Sequence, residues 1–162
     1  MIILGIDPGI ADTGYGIIKA EKSDLKCLSY GSIKTCKSKD LPERLEILNT
    51  ELLKIISKFK PNLVAVEQLF FCKNLKTAMV VGQARGVILL SARQSKLEII
   101  EFTPLEVKQG VAAYGQAGKA QVQKMVKTIL KLTEIPKPDD AADALAIAIC
   151  AANTAAILKN KF

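Results

Sequence analysis

The chain has 162 residues, 49% of them hydrophobic, and contains neither histidine nor tryptophan. That length suits one folded unit with its own core, and the missing histidine rules out every Ser-His-Asp triad, Cys-His dyad and histidine-ligated zinc site. The net charge of +7 favours an anionic partner, although mild basicity is common in proteins of many kinds.

Ile2 to Asp7 is an apolar run stopped by Asp-Pro-Gly, which predicts a strand and then a turn. The acid at position seven and the lack of a basic leader argue against a signal peptide. No stretch reaches the roughly 18 uncharged apolar residues of a membrane span, since Asp143 and Asn153 interrupt the nearest approach, Ala141 to Leu158. Gly14 to Lys19 and Leu25 to Thr35 predict the second and third strands, with Gly31 a bulge or close-packing point. Connections this short favour an antiparallel meander.

Leu41, Leu45, Leu48, Leu52, Ile55, Ile56 and Phe59 then recur at helical spacing, with Asp40 as cap and Pro42 in the first turn. Leu63 to Glu67 is a short apolar strand that, returning after a helix, should run parallel to the first. Thr77 to Gln94 predicts a second helix, where Gly82 and Gly86 would let another helix approach, and Leu97 to Phe102 a fifth strand. Thr103-Pro104 opens a short helix, Gly110 to Gly118 a glycine-bearing loop, and Ala120 to Leu132 a basic amphipathic helix. Asp139-Asp140 caps a last helix from about Ala141 to Ile157. With no linker or repeat, 1–162 reads as a single domain. The order predicts an α/β chain, a five-stranded mixed sheet flanked by helices as in the RNase H-like fold. Cys27, Cys36, Cys72 and Cys150 are scattered and form no Cys-x-x-Cys pair, which predicts reduced thiols and a cytoplasmic protein.

Two long stretches lack acids. Gln68 to Leu97 carries Lys73, Lys76, Arg85, Arg93 and Lys96, and Val107 to Thr133 carries Lys108, Lys119, Lys124, Lys127 and Lys131. Such stretches fit a phosphate backbone. Acids meanwhile gather where strands end. Asp7 closes the first strand, Glu67 the fourth, and Asp140 and Asp143 lie three apart on one helical face. If the first and fourth strands are neighbours, these carboxylates share one cleft, and their like charges need a cation. Oxygen donors alone suit Mg2+ or Mn2+, and two such ions about 3.5–4 Å apart would serve phosphodiester hydrolysis. Each acid also has a plainer use. Asp7 fits a turn, Glu67 an ordinary strand end, and Asp140 with Asp143 a helix cap, a role Asp139 could take instead.

Ile3-Leu4-Gly5-Ile6-Asp7-Pro8-Gly9, Thr13-Gly14-Tyr15-Gly16, Glu67-Gln68 with Phe70, Gly82-Gln83-Ala84-Arg85-Gly86 and Asp140-Ala141-Ala142-Asp143-Ala144-Leu145-Ala146 together resemble the RuvC-type Holliday junction resolvases. The motifs stand in family order over nearly the whole chain. The resemblance implies an RNase H-like homodimer, a crossover junction endodeoxyribonuclease that makes paired symmetric nicks in a four-way DNA junction during homologous recombination and DNA repair. It places the metal-binding acids on Asp7, Glu67, Asp140 and Asp143, with Mg2+ as cofactor and Mn2+ as substitute. It places active-site lysines on Lys108 and Lys119 and a junction-stacking aromatic on Phe70. Lys73, Lys76, Arg85 and Lys124 join Lys108 and Lys119 as candidate DNA contacts. A branch-migration motor, RuvA with RuvB, is a further implied partner. Ile10 and Asp12 depart from the family's small polar residue after Pro-Gly, and Asp143 stands where some members carry histidine. An actin-like or sugar-kinase-like phosphotransferase also opens on a strand with Asp and Gly, but needs two lobes around its nucleotide. A junction-binding protein without chemistry is the other alternative.

Overall fold

Alternate residues of Ile2–Asp7 face opposite sides of a sheet, and both sides are covered. The computed structural model describes residues 1–21, 24–69 and 75–159. Its elements are β1 (Ile2–Asp7), β2 (Asp12–Glu21), β3 (Asp24–Lys34), α1 (Leu41–Phe59), β4 (Leu63–Glu67), α2 (Leu75–Gln94), β5 (Glu98–Phe102), α3 (Pro104–Ala112), α4 (Lys119–Ile129) and α5 (Asp139–Lys159). The five strands form one sheet in the order β3-β2-β1-β4-β5. β1, β2 and β3 are antiparallel neighbours, and β4 runs parallel to both β1 and β5. This is an RNase H-like α/β fold, as its sequence predicts.

On one face Leu4, Ile6, Ile17, Val64 and Val66 meet Leu48, Leu52 and Ile56 of α1 and Ala84, Ile88 and Ala92 of α2. On the other, Ile3, Ile18, Leu63 and Ala65 meet α3, α4 and the apolar run Leu145–Ala152 of α5. α5 is apolar on nearly every side, as befits a helix packed between the sheet and other helices. No helix among the described residues is long and apolar enough to cross a membrane. Cys27, Cys36 and Cys150 are free thiols, and Cys72 lies outside the described residues.

Several local expectations shift. Asp40 does cap α1, accepting from the Glu43 N–H at 2.9 Å. The bulge falls at Leu28, where Ile17 pairs with Ser29 but Ile18 with Cys27. Gly31 is instead a close-packing point, because a Cβ there would lie 2.9 Å from the Tyr15 hydroxyl. Gly110 belongs to α3 and not to the following loop; its bare Cα faces Cys150, whose Sγ would be 2.8 Å from a Cβ. Gly82 and Gly86 receive no helix among the described residues, since a Cβ at Gly82 meets only Leu69 there, at 3.7 Å, and one at Gly86 meets none of them within 4 Å. Asp139 and Asp140 lie inside α5. The Pro138 carbonyl before them accepts from the Ala141 N–H at 3.0 Å and the Ala142 N–H at 3.4 Å.

Candidate active site

The β1–β4 register pairs Ile6 with Val66, so the next residues, Asp7 and Glu67, stand side by side at two strand ends. Parity sends both to the α5 face, because Ile3 and Ala65, at even spacing from them, pack in that core. α5 comes close because the strands beneath it lack side chains. A Cβ at Gly5 would lie 2.1 Å from the Ala144 carbonyl oxygen, one at Gly14 2.0 Å from the Asp140 carbonyl oxygen, and one at Gly16 2.8 Å from the Leu145 nitrogen. Gly14 is also the antiparallel partner of Asp7. The first turn of α5 therefore rests on backbone next to Asp7, and Asp143 follows Asp140 on the same helical face.

Crowding of acids dominates the electrostatics. Burial, then the charges of Glu67, Asp143 and Asp140, push the Asp7 pKa up to about 8, with Lys119 opposing. Glu67 is raised by burial and then by Asp143, against Lys108. Asp143 is raised by burial even though Lys119 hydrogen-bonds to it. Lys119 Nζ lies 3.0 Å from Asp143 Oδ2 and 3.4 Å from Asp139 Oδ2. Burial disfavours the Lys119 charge, yet these two acids outweigh it and hold the ammonium above its usual range. Lys119 is the first residue of α4, after Gly118, which supplies no side-chain cap. The helix dipole disfavours a cation there by roughly 0.3–1 kcal/mol. The carboxylates, not the helix, account for its position.

A cleft of about 270 Å³ opens between Glu67, Lys108, Lys119 and Asp143, with Val107 and Val122 among its apolar walls. The donor chemistry fits a hard divalent cation, since every candidate ligand is a carboxylate. The lifted Asp7 pKa marks the repulsion such a cation would relieve. No three acidic or sulfur side chains among the described residues are already arranged to hold an ion together. Lys119, paired with Asp143, partly neutralises the cluster instead.

The other predicted residues scatter more widely. Lys124 is exposed on α4. Arg85 is engaged, with Nη2 2.6 Å from Glu101 Oε2. Phe70 and Lys73 lie outside the described residues, and Lys76 is the second residue of α2, its side chain likewise outside. Of the two departures near Asp7, Ile10 packs on the α1 side of the core, and Asp12 accepts from Ser32 Oγ at 3.0 Å. Sequence reasoning missed Glu101 as the partner of Arg85 and missed the three glycines as the seat of α5. The alternation Gly14-x-Gly16, opposite Gly5 and in phase with Asp7, was the available signal.

A family model described as crossover junction endodeoxyribonuclease RuvC matches residues 3–151. The crossover junction endodeoxyribonuclease RuvC of Alkaliphilus oremlandii is 58% identical over 154 residues, which cover 95% of this chain and 94% of that protein. The protein of the same description from Natranaerobius thermophilus is 59% identical over 150 residues, 93% of each chain. Among solved structures, T. thermophilus RuvC in complex with Holliday junction substrate is similar with a TM-score of 0.89 and 34% identity, covering 97% of this chain and 96% of that one.

Proposed function

The chain belongs to the RuvC family of crossover junction endodeoxyribonucleases, and from that premise we propose how its residues resolve a Holliday junction. The enzyme is a metal-dependent nuclease of homologous recombination and DNA repair, and its substrate is the four-way DNA junction. One observation supports this placement of the chemistry above the others. Asp7 and Glu67 end adjacent parallel strands while the first turn of α5 brings Asp140 and Asp143 against them.

On this reading Asp7, Glu67, Asp140 and Asp143 would hold Mg2+, or Mn2+ in its place, with two ions in each active site. Such ions activate water and neutralise charge on the departing oxygen in phosphodiester hydrolysis. The protein's own groups do the rest. Lys108 lines the cleft beside Glu67 and faces the scissile phosphate, whose growing negative charge its ammonium offsets. Lys119 pairs with both Asp143 and Asp139, so Asp139 would still hold it beside the cleft if Asp143 served a cation. Lys124, Lys73 and Lys76 contact the backbone of the junction arms, and Phe70 stacks on a base at the opened centre, which contributes about 1–3 kcal/mol.

Paired, symmetric nicks require two active sites related by a twofold axis, hence a homodimer. α2 supplies a surface for it, with Val80 and Val81 half-buried and Met79 and Leu90 exposed. The remaining proposals are residues 1–162 as one nuclease domain, a cytoplasmic setting, and delivery of the junction by a motor of RuvA and RuvB.

The deciding experiment incubates the protein with a labelled four-way junction and a matched linear duplex, in Mg2+ and in EDTA. Paired nicking of the junction alone, dependent on Mg2+ and absent in Asp7→Asn, is the expected result. Junction binding without cutting, across several metals and junction sequences, would leave only a binding protein.

A further inference from the structure

Charge alone counts Arg85 among the phosphate contacts, but its side chain is only 20% exposed. Its Nη2 lies 2.6 Å from Glu101 Oε2, and its Nε donates to the main-chain carbonyl of Glu67 at 3.4 Å. The three residues come from three elements, α2, β5 and the last position of β4. Glu101 is the register partner of Val66, one residue before Glu67. The two strands stay joined just beyond, where the Gln68 N–H donates to the Phe102 carbonyl at 2.8 Å.

We propose that Arg85, anchored by Glu101, is a positioning residue for Glu67. The inference rests on the nuclease reading above and extends it to how one of the acids is aimed. The Gln68 N–H holds one edge of the Glu67–Gln68 peptide against β5, and Arg85 holds the opposite edge through its carbonyl. Arg85 grips β4 there, by the carbonyl of the residue whose carboxylate enters the cleft. Holding that peptide plane sets the direction in which the Glu67 side chain leaves the strand. The guanidinium suits this task because its rigid fork donates in two directions at once, whereas a lysine ammonium on a flexible stem does not fix a plane. Glu101 neutralises the charge and fixes the fork, so little of that charge is left for a phosphate. Groups that orient ligands in this way typically matter about 10–100-fold for metal affinity or activity.

The test uses Arg85→Lys, Glu101→Gln and the exchanged pair Arg85→Glu with Glu101→Arg in the full chain. Three readouts are taken well below the melting temperature: Mn2+ binding by electron paramagnetic resonance of the free ion, junction affinity in EDTA, and single-turnover cleavage in Mg2+. Both single variants should lose roughly tenfold in Mn2+ affinity and in cleavage rate while junction affinity is unchanged. The exchanged pair restores the ion pair but not the bond to the Glu67 carbonyl. Its melting temperature should recover while its Mn2+ affinity stays low. Recovery of both would reduce the pair to a structural brace and overturn the inference. Loss of junction affinity in Arg85→Lys, with Glu101→Gln cleaving normally, would return Arg85 to the phosphate contacts and overturn it as well. If the unmodified protein binds no Mn2+ and cuts nothing, the nuclease reading itself fails and takes the inference with it. Unchanged variants of an active protein remove only the role of Arg85.

Discussion

Against α1 and α2 the sheet presents Leu4, Ile6, Ile17, Val64 and Val66, whereas beneath α5 the two central strands present Gly5, Gly14 and Gly16. The first contact is side chain on side chain. Cores of that kind accept substitutions of similar volume, because neighbours repack at small cost. The second contact is backbone on backbone, with 2.0 Å between the Asp140 carbonyl oxygen and the place a Gly14 Cβ would take. At Gly14 no side chain stands between strand and helix that could repack. The carboxylates sit on the less tolerant face, so the fold fixes the position of Asp140 and Asp143 more tightly than that of a typical core residue.

Gly14→Ala is the strongest way to break this comparison. The added methyl must push α5 off β2 beside Asp7, and an ångström of misplacement in a catalytic group costs about a hundredfold in rate. Single-turnover cleavage should show that loss, with circular dichroism confirming a folded chain. Leu52→Ala, on the opposite face, is expected to cost about 2–5 kcal/mol of stability yet leave the rate per folded molecule unchanged. Equal loss of rate in the two variants would mean that the faces do not differ as described.

A change of pH sharpens the same contrast on the acid side. Asp7 titrates near 3.8 when unfolded and near 8 in the metal-free fold, so across that range the folded chain holds a proton that the unfolded chain has lost. Stability from this group is complete below the unfolded value and drains away as pH rises towards the folded one. Glu67 and Asp143 shift in the same direction. In EDTA the melting temperature should therefore fall between about pH 5 and pH 8, and Asp7→Asn should flatten the fall. Saturating Mg2+ should remove it by favouring the charged carboxylates. A melting temperature in EDTA that does not move with pH would show that the acids are not crowded.

The smallest effect is expected at Lys124, exposed on α4 away from both buried faces. Lys124→Ala should lower the slope of log affinity against log salt by about one, equally for all junction sequences. A change in metal requirement instead would place Lys124 in the site.

Much of this arrangement could be read from sequence. Apolar runs bounded by turn residues marked the strands, leucine spacing marked α1, and the acids at strand ends predicted a shared cleft once β1 and β4 were taken as parallel neighbours. What escaped were contacts made by the absence of atoms. A glycine reads as a breaker or a bulge, so Gly110 was assigned to a loop and Gly31 left between a bulge and a close-packing point, while their neighbours, Cys150 and Tyr15, are set by tertiary packing. The partner of Arg85 escaped for a similar reason. The stretch around Arg85 holds no acid, and its partner Glu101 arrives from the next strand, just beyond that stretch. The capping role considered for Asp139 and Asp140 passed to the Pro138 carbonyl, a backbone group that side-chain patterns do not reveal.

The seat that Gly5, Gly14 and Gly16 provide for α5 also sets an order of events during synthesis. Asp7 and Glu67 leave the ribosome early, but Asp140 and Asp143 belong to the helix translated last among the described elements. A growing chain has two of the four candidate ligands, and the face that α5 covers lacks that helix until it docks. On the proposed placement of the metal ligands, the complete acid set would arrive only together with the covering of that face.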